Sequence, residues 1–159
     1  MDTKEIIHEL ADVEDPSCLG EGTKVWRWTH IMKGVNIGSN CKFGQGCFVQ
    51  EGVVIGDNVN VQNGVYLYKG LIIEDNVFIG PNVAFTNVKR PNPNRPTNNY
   101  ITTILKKGCA IGANATIICG TIIHSDSIVG AGAVVTKDVL EGTQVVGNPA
   151  RILEPRKQQ

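Results

Sequence analysis

Residues 49–84 read VQEGVV IGDNVN VQNGVY LYKGLI IEDNVF IGPNVA when cut every six residues. Each unit begins with Val, Leu or Ile, and the same cut extends back to Val13 and forward to FTNVKR. After an interruption the beat resumes at Leu105 as LKKGCA, IGANAT, IICGTI, IHSDSI, VGAGAV and VTKDVL, again with an aliphatic residue first. Six residues do not match the turn of an α-helix, because a hexad stripe drifts off one helical face. They do match a short extended segment followed by a tight turn, coiled into a parallel β-solenoid in which stacked coils together form the core. Three hexads per coil predict roughly six coils.

The fifth hexad position is small or aliphatic and reads as a second inward site. Cys41, Cys47 and Cys109 fall there, and no CxxC pair exists, so the cysteines read as core residues rather than as metal ligands or disulfides. Glycine is concentrated at the second and fourth positions, which flank the corner where the backbone turns.

Fifteen basic and fifteen acidic residues cancel, giving no field that draws the chain to nucleic acid or to a charged membrane. No apolar run approaches the length of a bilayer span, and MDTKEIIHELADVED has no basic n-region before an apolar core. The expectation is a cytoplasmic protein with no membrane insertion. Residues 1–12 form a lead-in, expected as a short helix capped by Thr3 or as a frayed end. Residues 13–140 are the solenoid, and 141–159 form a terminal cap and a solvated tail.

The beat breaks once. Between FTNV and the resumption at Leu105 the frame shifts by two residues, across an insert at 91–104 that carries Pro91, Pro93, Pro96 and a cluster of asparagines. Proline lacks the N–H that an inter-coil ladder needs, so the insert leaves the stack and returns. An ordered loop of this length is more often functional than decorative. Lys89, Arg90 and Arg95 add positive charge there, which suits a phosphate-bearing ligand.

The pattern resembles the hexapeptide-repeat acyltransferases, whose fold is a left-handed parallel β-helix closed by a Gly-Asn-Pro-Ala segment, here VVGNPARIL. More narrowly, VWRWTHI, FGQGCFV, VQNGVYLY, FTNV with its proline loop, and YITTILKKGCAIGANATIICG resemble the enzymes that acetylate the 3-amino group of UDP-2-acetamido-3-amino-2,3-dideoxy-glucuronic acid. The chain departs from that group at Arg27, Lys69 and the loop start Arg90-Pro91-Asn92, which leaves the acceptor sugar open.

The resemblance implies a homotrimer with sites between subunits, acetyl-CoA as the acyl donor, a nucleotide-sugar acceptor and no metal. Asn87 matches the residue nearest the reacting amine, and His30 matches a histidine that contacts the nucleotide-sugar or assists proton transfer. Gln45, Gln62, Asn63, Tyr68 and Arg90 are the implied sugar-nucleotide contacts. Gly112, Ala113, Gly130 and Ala131 correspond to the backbone groove for pantetheine, with Lys137 and Arg151 for the phosphates. The alternatives are an acetyltransferase for another amine or hydroxyl acceptor such as a dTDP-aminosugar, a γ-class carbonic anhydrase-like protein, or a non-catalytic solenoid. A zinc site needs closely spaced histidines, and His8, His30 and His124 are far apart.

Overall fold

The computed structural model describes residues 6–94 and 99–153. Thr3, Arg95, Pro96, Asn98 and the expected tail beyond 153 lie outside the described residues.

The hexads become two- and three-residue strands arranged in three sheets, one strand per sheet per coil. Sheet A runs from Ile6–Ile7 through Lys24–Val25, Lys42–Phe43, Asn60–Val61, Phe78–Ile79, Ala110–Ile111 and Ile128–Val129 to Gln144–Val146. Sheet B stacks Asp12–Val13, His30–Ile31, Phe48–Val49, Tyr66–Leu67, Ala84–Phe85, Thr116–Ile117 and Val134–Val135. Sheet C contains Asn36–Ile37, Val54–Ile55, Leu71–Ile73, Thr103–Leu105 and Ile122–Ile123. Successive coils pair in parallel, each residue meeting the one 18 positions later, as Tyr66 meets Phe48. The result is an all-β parallel solenoid of about eight turns.

That is more than the six coils the hexads predict, because both ends join the ladder. Residues 6–13, expected as a helix or a frayed end, instead form two strands: Ile6 pairs with Lys24 and Asp12 with His30. The only helical element among the described residues is the 3-10 turn Pro16–Cys18, capped by the Asp15 carboxylate. At the other end Gln144–Val146 pairs with Ile128–Val129 beyond the point where the beat fails at Glu141. The spacing there is 16 residues, so the hexad frame is lost while the ladder continues. Arg151–Ile152 then folds back antiparallel on Gln144–Val146 and closes that end.

The hexad roles hold in detail. Every first-position residue except Val13 is buried, and the fifth positions add Val, Cys, Ala, Thr and Ser to the same core. The buried hydroxyls are paired: Thr23 Oγ1 donates to Gly38 O at 3.0 Å and accepts from Cys41 N at 3.1 Å. Burial pushes the Cys109 thiol up to about 12, so it is inert at neutral pH.

Corners impose two backbone demands. The fourth hexad position takes a left-handed conformation in coil after coil, and Gly, Asn or Asp fills it with one exception, Trp28 at φ 61°. The second position lies flat against the next coil: a Cβ on Gly80 would sit 2.7 Å from Ala113 N. Gly80→Ala therefore has to force two coils apart, and thermal or urea unfolding should show a loss of roughly 1–3 kcal/mol.

Candidate functional site

The 18-residue register turns a sequence position into a column running along the axis. Two corners flank sheet B, and the candidate residues divide between them. On the A–B corner stand Gln45, Gln62 with Asn63, Gly112 with Ala113, and Gly130 with Ala131. On the B–C corner stand Tyr68, Lys69, Asn87 and Lys137, while His30 lies on sheet B itself. Within one chain the two groups stand on opposite edges of sheet B.

The break lies at the B–C corner. Paired residues are 32 apart across it, as Leu71 with Thr103, against 18 in the preceding coils, so 14 residues are expelled without cutting the ladder. Ile101 N donates to Asn87 O at 3.0 Å and Thr103 N to Gly70 O at 3.0 Å, which clamps the root of the loop. Thr103 and Ile104, placed in the insert by the hexad count, are already back in sheet C. Within the described part, Asn94 N donates to Asn92 Oδ1, a side-chain turn of the kind asparagine favours. Lys89 and Arg90 are exposed.

Asn87 sits at that root, half-buried. Its Nδ2 donates to Lys69 O at 3.4 Å, while no protein donor among the described residues meets its Oδ1. The carboxamide is thereby aimed with an accepting oxygen free. Lys69 is itself held from both sides. Its N–H donates to Gln50 Oε1 at 3.0 Å, and its ammonium pairs with Glu51 at 2.9 Å. Gln50 and Glu51 are parts of this candidate site that the hexads do not reveal, because outward polar residues follow no rule in them.

The same capping device recurs at other corners and accounts for one candidate. Asn63 Oδ1 accepts from Gln45 N at 3.0 Å, as Asp57 Oδ1 does from Ser39 N at 2.7 Å. The Asn63 oxygen is thus committed to joining coils. Gln62 Nε2 donates to Asn60 Oδ1 at 2.8 Å. Gly112 likewise has a packing reason, since a Cβ there would lie 2.5 Å from Ala131 N.

His30 is three strands from the Asn87 coil on sheet B, roughly 14 Å along the axis at about 4.8 Å per strand. Its Nε2 lies 3.0 Å from Glu14 Oε1 and 3.8 Å from Asp12 Oδ2. Glu14 is held below the usual carboxylate range by the Lys33 N–H and by His30. His30 and Asn87 therefore do not act on one atom within a chain. At the far end, Lys137 and Arg151 line one pocket of about 220 Å³, so the two proposed phosphate contacts do converge. Lys137 is two strands beyond Asn87 on the same corner.

Among the described residues no group of three or more His, Cys, Asp or Glu is placed to hold a metal ion. No helix among the described residues is long and apolar enough to cross a membrane. The Glu51 carboxyl is held low first by its hydrogen bond from Lys69, and the Lys69 ammonium is held high by Glu51. Mutual stabilisation of this kind is present between the two lowered and raised midpoints and is lost on acidification through that of Glu51. Lys69→Met should move the Glu51 midpoint, read by side-chain carboxyl NMR, back up toward the ordinary glutamate value.

Comparison with known proteins bears on what this geometry serves. Residues 34–69 match the hexapeptide repeat of succinyl-transferase, and residues 52–87 and 102–137 match the bacterial transferase hexapeptide (six repeats). The two latter matches stop and restart on either side of the loop. The dTDP-3-amino-3,6-dideoxy-alpha-D-galactopyranose 3-N-acetyltransferase of Aneurinibacillus thermoaerophilus is 47% identical over 146 residues, covering 92% of this chain and 76% of that protein. A perosamine N-acetyltransferase from Caulobacter crescentus, solved with CoA and GDP-perosamine, aligns at TM-score 0.52 and 26% identity. That alignment covers 95% of this chain, which spans 57% of that protein's length. An N-acyltransferase from Bacillus cereus, solved with dTDP and 3-hydroxybutyryl-CoA, shares the fold at TM-score 0.63 and 19% identity, over 97% of this chain and 81% of that one. The chain belongs to the bacterial transferase hexapeptide family and is an acetyltransferase of that family.

Proposed function

We propose that the protein transfers acetyl from acetyl-CoA to the amino group of a nucleotide-linked aminosugar, of the dTDP-3-amino type. The observation that carries this reading is the 47% identity to a dTDP-aminosugar 3-N-acetyltransferase over 92% of the chain. It displaces the UDP-3-amino-glucuronate acceptor that the sequence motifs favour, a group from which the chain also departs at Lys69 and Arg90.

The chemistry asks little of the protein beyond placement. A sugar amine flanked by oxygens is less basic than a lysine, so a useful fraction is neutral near pH 7. Its lone pair attacks the thioester carbonyl, the tetrahedral intermediate collapses, and the departing thiolate of CoA takes up the proton lost by nitrogen. Asn87 is neutral and serves by accepting an N–H at Oδ1, which aims the lone pair. Gln50 and Lys69 are positioning residues for it. The pantetheine runs past the small residues Gly112, Ala113, Gly130 and Ala131, whose corner is low enough for backbone contact, and Lys137 with Arg151 meets the phosphates.

The division of candidates between two corners favours a homotrimer in which the A–B corner of one copy meets the B–C corner of the next. Light scattering should then give three times the chain mass.

Thiol release from acetyl-CoA is the direct assay, run with dTDP- and UDP-linked 3- and 4-aminosugars. Turnover is expected with a dTDP-3-aminosugar, and no release with any amine acceptor would refute the reading. Asn87→Ala should lower kcat roughly 100-fold with the trimer intact, the scale of a misplaced reacting group.

A further inference from the structure

Trp28 breaks a rule that the remaining left-handed corners keep. Its φ is 61°, where the other such positions carry Gly, Asn or Asp, and its side chain is 63% exposed. A bulky residue in that conformation is strained, and burial does not compensate it. The fold alone would prefer Gly or Asn there. Some other interaction of the indole has kept it.

The indole borders a groove on sheet B. The outward column of that sheet places His30, Phe48 and Tyr66 on consecutive coils. The rings touch in sequence: His30 and Phe48 centroids are 5.5 Å apart, Phe48 and Tyr66 6.2 Å, and Phe48 and Tyr68 6.1 Å. Trp28 stands on the A–B side and Tyr68 on the B–C side of the same pocket, of about 410 Å³. The Arg27 guanidinium lies 5.5 Å from the Trp28 ring centroid, which adds a cation at the rim. The site is a floor of rings with an aromatic wall at each side, open to solvent. Such a surface binds a flat π-system by stacking, and every nucleobase has one.

We propose that this aromatic groove is the seat of the pyrimidine base of the nucleoside diphosphate, with Trp28 and Phe48 as its stacking residues. The proposal rests on the nucleotide-sugar reading and assigns a base subsite within it. Position along the axis selects the base of the sugar nucleotide over the adenine of CoA. The rings occupy coils on the N-terminal side of Asn87, whereas Gly112, Ala113, Gly130, Ala131 and Lys137 occupy coils on the C-terminal side. A ribose and two phosphates separate base from sugar, which suits a base held several strands from the reacting amine.

Trp28→Asn is the informative substitution, because asparagine suits the left-handed corner and leaves the fold as stable or more so. Binding of dTDP and of 3′,5′-ADP is measured by calorimetry on wild type, Trp28→Asn and Phe48→Leu, with mass by light scattering and melting temperature alongside. The expected result is dTDP affinity lowered about tenfold in both variants, 3′,5′-ADP affinity unchanged, and mass and melting temperature held in Trp28→Asn. Unchanged dTDP affinity in Trp28→Asn would overturn the proposal. So would a loss confined to 3′,5′-ADP, or a change of mass in place of a change of affinity, which would make Trp28 an interface residue. The binding assay is independent of turnover. Trp28-dependent dTDP binding without acetyl transfer would retain the subsite and reject the reaction, and transfer with dTDP affinity insensitive to Trp28 would do the reverse.

Discussion

The structure depends on one register: a residue must meet its counterpart 18 positions later, coil after coil, with an aliphatic side chain inside each time. No single coil has a core, so each coil is stable only because its neighbours complete both its hydrogen bonds and its packing. That constraint explains why the corners need left-handed backbone, why second positions are so often glycine, and why polar side chains such as Asp57 and Asn63 are spent on the N–H groups of the adjacent coil. It also explains how an enzyme site is built on so repetitive a chain. Columns on the two corners of sheet B carry different outward side chains, and each can change without disturbing the core behind it.

The loop is the one place where extra chain is admitted, and the ladder closes around it. Asn87 and Gly70 supply the carbonyls that receive the returning strand, so the proposed reacting region is fixed by the same bonds that restore the register. The Asn87 carboxamide is oriented from below by Lys69 O, and Lys69 in turn by Gln50 and Glu51. Among the described residues Lys89 and Arg90 nearby are exposed, Lys69 is paired with Glu51, and no Asp, Glu, His, Lys or Arg is buried. A site of this composition is suited to act by placement, which is what the proposed sugar amine and thioester require.

The interior was legible from the sequence because aliphatic burial leaves a strict period, and the position of the loop was legible because proline and the frame shift betray it. The ends were not. Ile7 keeps the hexad frame and pairs with Val25, but Ile6 and Ile7 are exposed, and IIHEL reads equally as the start of a helix. Glu141 broke the count because the last coil is shorter by two residues, a change the ladder absorbs and a period does not. Outward residues obey no repeat, so Gln50 and Glu51 were invisible, the bond from Gln45 N to the Asn63 oxygen was not foreseen, and the motifs favoured UDP where the 47% identical relative acts on a dTDP-sugar. The left-handed backbone that sets Trp28 apart is a property of the corner, which the hexads do not display.

The account stands or falls on where the acceptor amine lies. A crystal structure of the protein with CoA and a dTDP-3-aminosugar tests it directly. The sugar nitrogen is expected within hydrogen-bond reach of Asn87 Oδ1, about 3 Å, with the CoA sulfur on the C-terminal side of that coil. An aminosugar bound away from the B–C corner, or an amine whose nearest protein acceptor is another residue, would contradict it.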